Sequence, residues 1–492
     1  MRPLRRLDVL PAFLLSLIYS WIANGEFIRP RPNPLKQVLE HTPVNQPSET
    51  CAKLRLKGPI ETTHCDYETV ESVNDELVSN LSALVRKPFF RYYKVDLYRE
   101  CPFWRENGFC MHRTCGVTSI DESQVPREWR AEALSQVRGA QEGIVRLPGC
   151  FYKNSDFCFL DDNEGGEYVD LTENPEGFTG YAGASAHRIW GSIYNENCFG
   201  LSEATLLQRA EMSRFDRSPA SILGLSRLPA TADEGCLEKR VYYRIISGMH
   251  ASISIHICHR WFNQTTGVWG PNLQCFANRI ALHPERLQHL YFNNVLLLRA
   301  VSRVGPYLSA YSLDDEEKGA DELLDNVLNI AKSAGAFDET ALFRGNDAKI
   351  LKEEFKDHFR NVSLIMDCVG CDKCRLWGKI QVTGIAAALK ILFEMDENAL
   401  DPQLNRNLLT RWEVVALINT LRLFSESLKI TEDFRALWHE THDAERIISE
   451  AETEALITAK VRTSWGAHVL LVLIPIGRQA KPQLFLGRHR HL

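Results

Sequence analysis

Apolar residues recur at every third or fourth position in five stretches: Pro284 to Val304, Asp321 to Ala334, Asp347 to His358, Thr383 to Met395 and Leu408 to Ile430. That period puts one apolar face on a helix, so each stretch predicts a helix and the chain a mainly α fold. Residues 211–235, rich in Ser, Pro, Ala and Gly, and residues 305–320 break the period and predict surface loops. Ala251 to Ile257 fits a strand or a packed helix equally, and no segment repeats another.

The N-terminal pattern differs. Met1 to Arg6 holds three Arg, Leu10 to Ala23 is almost wholly apolar, and Ala23 and Gly25 follow. This layout predicts a secretory signal peptide over residues 1–24. The apolar run is short for a membrane span, and an uncleaved anchor is the alternative. Residues 25–50 read as a Pro-rich linker, with five prolines between 29 and 47. The folded region then covers 51–430, and 431–492 is a helical segment and tail without an assigned role.

Composition narrows the chemistry. The 492 residues carry 57 Lys+Arg against 63 Asp+Glu, a net charge of −6, which argues against nucleic acid as a partner. The 14 cysteines matter because an exported chain keeps its disulfides. Sequons at Asn80, Asn263 and Asn361 fit the same compartment.

Two cysteine clusters stand apart: Cys101-Pro-Phe-Trp with Cys110 and Cys115, and Cys368-Val-Gly-Cys371-Asp-Lys-Cys374. Two thiols one helical turn apart can close a readily reduced disulfide, and nearby cations favour the reactive thiolate. Lys373, Arg375 and Lys379 are the candidate cations. The spacing also suits an inert disulfide or a metal. Against zinc, no second Cys or His pair follows at finger spacing; against an iron–sulfur cluster, the fourth Cys is missing. Cys110-x4-Cys115 alone reads as a local disulfide, but beside a second pair it suggests a thiol relay. His250, His256, Cys258 and His259 resemble a metal set whose members no single face collects.

At this point the chain resembles the endoplasmic oxidoreductins, flavoenzymes that make disulfides for protein disulfide isomerase. The resemblance rests on both cysteine clusters, on Cys374-Arg-Leu-Trp-Gly-Lys, and on Phe178-Thr-Gly-Tyr with Ile189-Trp190. Tyr168-Val-Asp-Leu, Asn195 to Phe199, Ser247-Gly-Met-His250-Ala-Ser-Ile, Trp269-Gly, Leu290-Tyr-Phe and Leu298-Arg-Ala extend it in order from about Cys51 to about Leu428. It implies a single helical domain around a four-helix core holding FAD, with long disulfide-tethered loops. It also accounts for the lack of a Gly-x-Gly-x-x-Gly fingerprint.

The resemblance assigns FAD contacts to Thr179, Trp190, Ser247, His250, Arg286 and Arg299. It makes Cys110 and Cys115 the outer shuttle, and Cys371 and Cys374 the inner pair, with Cys374 nearest the flavin. Oxygen is the terminal acceptor, hydrogen peroxide the product, and no metal is called for. Cys101–Cys368 and Cys198–Cys236 are implied as structural disulfides, with Cys51 and Cys65 a further pair. Cys150, Cys158, Cys258 and Cys275 are left for regulation, with Cys150 or Cys158 restraining the shuttle loop. One departure is Gly177, where the family has an Arg. It predicts weaker FAD binding unless a residue such as Arg188 substitutes. The expected location is the endoplasmic reticulum lumen. The chain ends Arg488-His-Arg-His-Leu, not in a retention tetrapeptide, so retention is expected through a partner or peripheral association with the lumenal face of the membrane.

Overall fold

The computed structural model describes residues 67–105, 115–130, 166–176, 183–197, 237–281, 283–310, 313, 319–333, 337–395, 400–401 and 409–464. The expected signal peptide and linker, Cys51, Cys65, Cys110, Cys150, Cys158, Gly177, Thr179, Cys198, Cys236 and the tail beyond 464 lie outside these residues. Eight helices of three turns or more are numbered here: α1 Tyr67–Leu84, α2 Ala184–Asn195, α3 Leu237–His259, α4 Pro284–Leu308, α5 Ala320–Ser333, α6 Ala348–Met366, α7 Asp372–Phe393 and α8 Arg411–Ser464. Two units divide the chain, residues 1–437 and 438–492.

In the first unit the core is a four-helix bundle of α3, α4, α7 and α8, and polar contacts fix how they meet. Asn293 Nδ2 on α4 donates to the Ile245 carbonyl on α3 at 2.8 Å. Ser252 Oγ on α3 meets Ser427 Oγ on α8 at 2.8 Å, and Thr420 Oγ1 on α8 donates to the Ile380 carbonyl on α7 at 3.2 Å. Every residue of α7 from Leu376 to Phe393 is buried. It is the one described helix long and apolar enough to cross a membrane, yet its neighbours cover it on all sides, as befits the central helix of a large core.

Close backbone approach lets α7 sit there. A Cβ on Gly384 would overlap Thr420 Oγ1 and the Ala416 carbonyl of α8, and one on Gly248 would overlap the His289 carbonyl of α4. Alanine at Gly384 gains about 1 kcal/mol of helix propensity but overpacks a rigid contact, at about 2–3 kcal/mol. Gly384→Ala should therefore lower the denaturation midpoint; an unchanged or higher midpoint would show that α7 and α8 do not touch here.

A small antiparallel sheet flanks the bundle: β1 Tyr92–Val95, β2 Ser119–Ile120 and β3 Glu167–Asp170, in the order β1-β3-β2. Tyr93 pairs with Val169, and so does Ser119 on the other side. The fully buried Arg411, at the start of α8, ties the bundle to this layer. Its guanidinium donates to the carbonyls of Tyr92 (2.8 Å), Trp129 (3.2 Å) and Phe89.

Several expectations on element boundaries are corrected. The stretch predicted as Thr383 to Met395 begins eleven residues earlier, at Asp372, and ends at Phe393. A helix buried all round has no polar face to give it period, so its first turns were missed. The stretch predicted to stop at His358 runs to Met366, and the one ending at Ile430 runs from Arg411 to Ser464. The predicted 305–320 loop starts late, because α4 carries Pro306 within its last turn and ends at Leu308. Ala251 to Ile257 is helix, inside α3. Of the sequons, Asn263 stands exposed at a hairpin turn, whereas the Asn80 and Asn361 amides donate to the Glu76 carbonyl and Glu196 Oε2.

Candidate active site

The site is built on the junction of α6 and α7. Cys368, Val369 and Gly370 make the turn, and Cys371 is the N-cap of α7. Its Sγ accepts the Cys374 backbone N–H at 3.1 Å, where a side-chain acceptor satisfies an otherwise orphaned helix donor. Cys371 and Cys374 are joined as a disulfide. Cys371 is buried, whereas Cys374 lines a cavity of about 340 Å³. Cys101 is bonded to Cys368 across 267 residues, which brings the first cysteine cluster to the second. Cys115 is buried and disulfide-bonded.

The expected ring of cations around the pair needs correction. Lys379 is spent on buried Asp367, and Arg375 donates to the carbonyls of Val369 (2.9 Å) and Leu97. Of the three, Lys373 alone lines the cavity with Cys374. Burial lowers its pKa, and no acid pairs with it among the described residues. Favourable charge for a thiolate at the first turn of α7 therefore comes from Lys373 and the helix N-terminus.

α2 and α3 form the facing wall. Gly183, with φ 81°, turns the chain into α2 and itself lines the cavity; any other residue would be strained there. Trp190 and His250 stack on each other with ring centroids 3.9 Å apart and planes 16° from parallel. Each can then offer a ligand at most one face. His250 Nδ1 lies 3.0 Å from the Tyr194 hydroxyl.

Burial, with Arg286, Arg279 and His283 nearby, pushes the His250 imidazole down to about 3 from 6.5. It is neutral at physiological pH. Below its ordinary value the unfolded chain takes up a proton that the folded, ligand-free site refuses. Stability should thus fall as pH drops from about 6.5 toward 3, by roughly 2 kcal/mol at about pH 5. Melting temperature against pH checks this: His250→Gln should remove that component, and an identical pH profile in the variant would contradict it.

The other predicted contacts scatter. Ser247 is buried and meets His289 Nδ1 at 2.8 Å. Arg286 Nη1 donates to the Arg279 carbonyl at 2.9 Å. Arg299 does not line the cavity, because its fork is held by Glu339 at 2.7 and 3.0 Å. Arg188 lies over the Trp104 ring, 5.5 Å from its centroid, and is not among the residues lining the cavity. The suspected metal set also disperses. His256 Nε2 meets the Leu423 carbonyl at 3.1 Å, Cys258 is bonded to Cys275, and His259 lies 3.8 Å from Asp433.

Sequence reasoning missed Arg279, which lines the cavity from the five-residue π turn Ala277–Ala281. Burial and Arg286 lower its pKa, and its guanidinium has no partner among the described residues. It also missed Gln381, buried on α7 and lining the same cavity. Neither residue carries a signal in sequence, where a buried polar side chain looks like a solvated one. A flat ring stack, the Arg279 guanidinium, the Lys373 ammonium and a redox-capable sulfur around one cavity suit a flat, anionic redox cofactor. The residues present fit FAD.

Comparison with known proteins agrees. A model described as Endoplasmic Reticulum Oxidoreductin 1 (ERO1) matches residues 76–431. Endoplasmic reticulum oxidoreductin-1 of Neurospora crassa is 35% identical over 480 residues, covering 82% of this chain and 72% of that protein. The Arabidopsis thaliana protein of the same name is 36% identical over 443 residues, covering 84% and 87%. A cysteine-to-alanine double mutant of Saccharomyces cerevisiae Ero1p superposes with a TM-score of 0.54 at 32% identity, over 76% of this chain and 98% of that one. The chain belongs to the endoplasmic reticulum oxidoreductin 1 family, FAD-dependent thiol oxidases of the endoplasmic reticulum lumen that generate disulfides for protein disulfide isomerase with oxygen as acceptor.

Proposed function

We propose that electrons cross this thiol oxidase by a two-pair relay, from Cys110/Cys115 to Cys371/Cys374 and then to FAD bound in the cavity beside Cys374. A thiolate of reduced protein disulfide isomerase attacks the Cys110–Cys115 disulfide, and its second thiol resolves the mixed disulfide, leaving the partner oxidised and both shuttle thiols reduced. A shuttle thiolate then attacks Cys371, which frees Cys374 as a thiolate. The second shuttle thiol displaces Cys371 and restores the shuttle disulfide. Lys373 and the first turn of α7 hold the Cys374 charge at the cavity wall. FAD bound there would accept the two electrons as Cys371 and Cys374 close their disulfide again, and oxygen would take them on as hydrogen peroxide.

The observation that carries this reading is the asymmetry of the inner pair: Cys374 lines the cavity, while Cys371 caps the helix behind it. Trp190 and His250 would pack on the flat ring, with Arg279 and Arg286 set against the phosphates. Thr179, Ser247 and Arg299 complete the set, Arg299 through a guanidinium that it would share with Glu339. Because α7 is buried in the core, it is not offered as an anchor, and membrane association in this reading is peripheral. Oxygen uptake tests the relay. Cys110→Ala should lose turnover with a reduced thioredoxin-like protein but keep it with dithiothreitol, and loss of both, or of neither, would refute the outer role.

A further inference from the structure

Gln381 is fully buried on α7, yet neither its amide oxygen nor its amide nitrogen has a hydrogen-bond partner. Leaving a buried polar group unpaired costs about 1–3 kcal/mol, and most such groups in native proteins are satisfied. Here two stand open on one side chain, and that side chain lines the cavity. The cost is explained if a ligand supplies the partners.

The helix says which part of the ligand. Cys374, Trp377, Gly378 and Gln381 all line the cavity, and their spacing of i, i+3, i+4 and i+7 places them on one face of α7. Helical side chains lean toward the N-terminus, so Gln381 reaches back along this face toward the reactive sulfur. The other residues cannot offer a donor and an acceptor side by side. Trp377 Nε1 already donates to the Asn174 carbonyl at 2.8 Å, Gly378 has no side chain, and Lys373 can only donate. A primary amide offers both within one planar group.

We propose that Gln381 binds the polar edge of the flavin ring, its N–H donating to a ring carbonyl and its C=O accepting from the adjacent ring N–H. The inference rests on the reading that FAD fills this cavity beside Cys374, and it adds a positioning residue to that site. The opposite, dimethylbenzene end of the ring system is apolar, so pairing at this edge fixes which end of the ring lies toward Gln381. A donor at the ring carbonyl also stabilises the electron-rich reduced ring, which ties Gln381 to the ease with which the flavin accepts electrons.

The test uses the full-length, flavin-loaded protein as wild type, Gln381→Met and Gln381→Asn. Methionine keeps the volume and removes both polar atoms; asparagine keeps the amide on a shorter stem. Three readouts are taken: the rate of FAD release, the visible flavin bands, and the melting temperature with and without added FAD. Gln381→Met should release FAD roughly tenfold to hundredfold faster, since two net hydrogen bonds are lost, with its flavin bands shifted. Its melting temperature should rise with added FAD and reach the wild-type value at roughly tenfold to hundredfold higher FAD, as mass action requires of a ligand-binding defect. Gln381→Asn should fall between the two. Unchanged release and bands in Gln381→Met would overturn the proposal. So would a melting loss that added FAD fails to restore, or a failure to fold, because the amide would then be serving the protein. A wild type without flavin would instead remove the reading of the site on which the proposal stands.

Discussion

Cys374→Ala should abolish oxygen consumption with every dithiol, small or protein. Cys374 is the sulfur of the inner pair that lines the cavity, and alanine leaves the first turn of α7 sterically intact. The loss should be roughly 10³-fold or more, as when a reacting nucleophile is removed. FAD should stay bound, since alanine removes no group assigned to hold it. Bound flavin with lost turnover therefore separates a chemical defect from a folding one. Retained turnover with dithiothreitol would show that electrons reach the flavin another way.

The second large effect is on stability. The Cys101–Cys368 disulfide spans 267 residues, and chain-entropy reasoning allows about 5–6 kcal/mol for a loop of that size, as an upper bound. Cys368 is fully buried three residues before Cys371, so the bond also fixes the distance between the two cysteine clusters. Cys101→Ala/Cys368→Ala, a double replacement that leaves no stray thiol, should lower the denaturation midpoint by several kcal/mol. It should also depress turnover with a protein substrate more than with dithiothreitol, because only the former needs the outer pair within reach. An unchanged midpoint would mean that Arg375, donating across to the Leu97 carbonyl, and the sheet hold this segment unaided.

What was legible in the sequence follows from how each residue spends its polarity. α5 and α6 were readable because one face is apolar and the other is wet, whereas α4 kept its apolar period although every residue from Leu290 to Leu298 is buried. α1 was not, because its buried stripe Val70, Asn74, Leu77, Leu81 and Leu84 has Asn74 in an apolar place, where it donates to the Ser425 carbonyl. α3 hides its period behind buried Ser247, Ser252, Ser254 and His256, each of which reads as solvent-facing. The same limit applied at the site. The inner cysteine pair announced itself by spacing, and Trp190 and His250 by resemblance. Arg279 and Gln381 did not, since a polar residue kept for a ligand looks like any surface residue until the cavity is seen. Charge near a motif also misled: Lys379 and Arg375 stand next to the cysteines in sequence, but Asp367 and backbone carbonyls claim them. The Cys258–Cys275 disulfide, 17 residues apart, needed the fold to bring the end of α3 to the short helix Leu273–Phe276.

The central claim is that Cys374 is the sulfur through which the flavin is reduced. Anaerobic mixing of the flavin-loaded protein with excess dithiothreitol, followed through the visible flavin band, tests it most directly. Wild type should bleach fully and recover its colour when air is admitted, while Cys374→Ala should keep its colour throughout. Bleaching of the variant at the wild-type rate, or a wild type that stays coloured under excess reductant, would contradict the account.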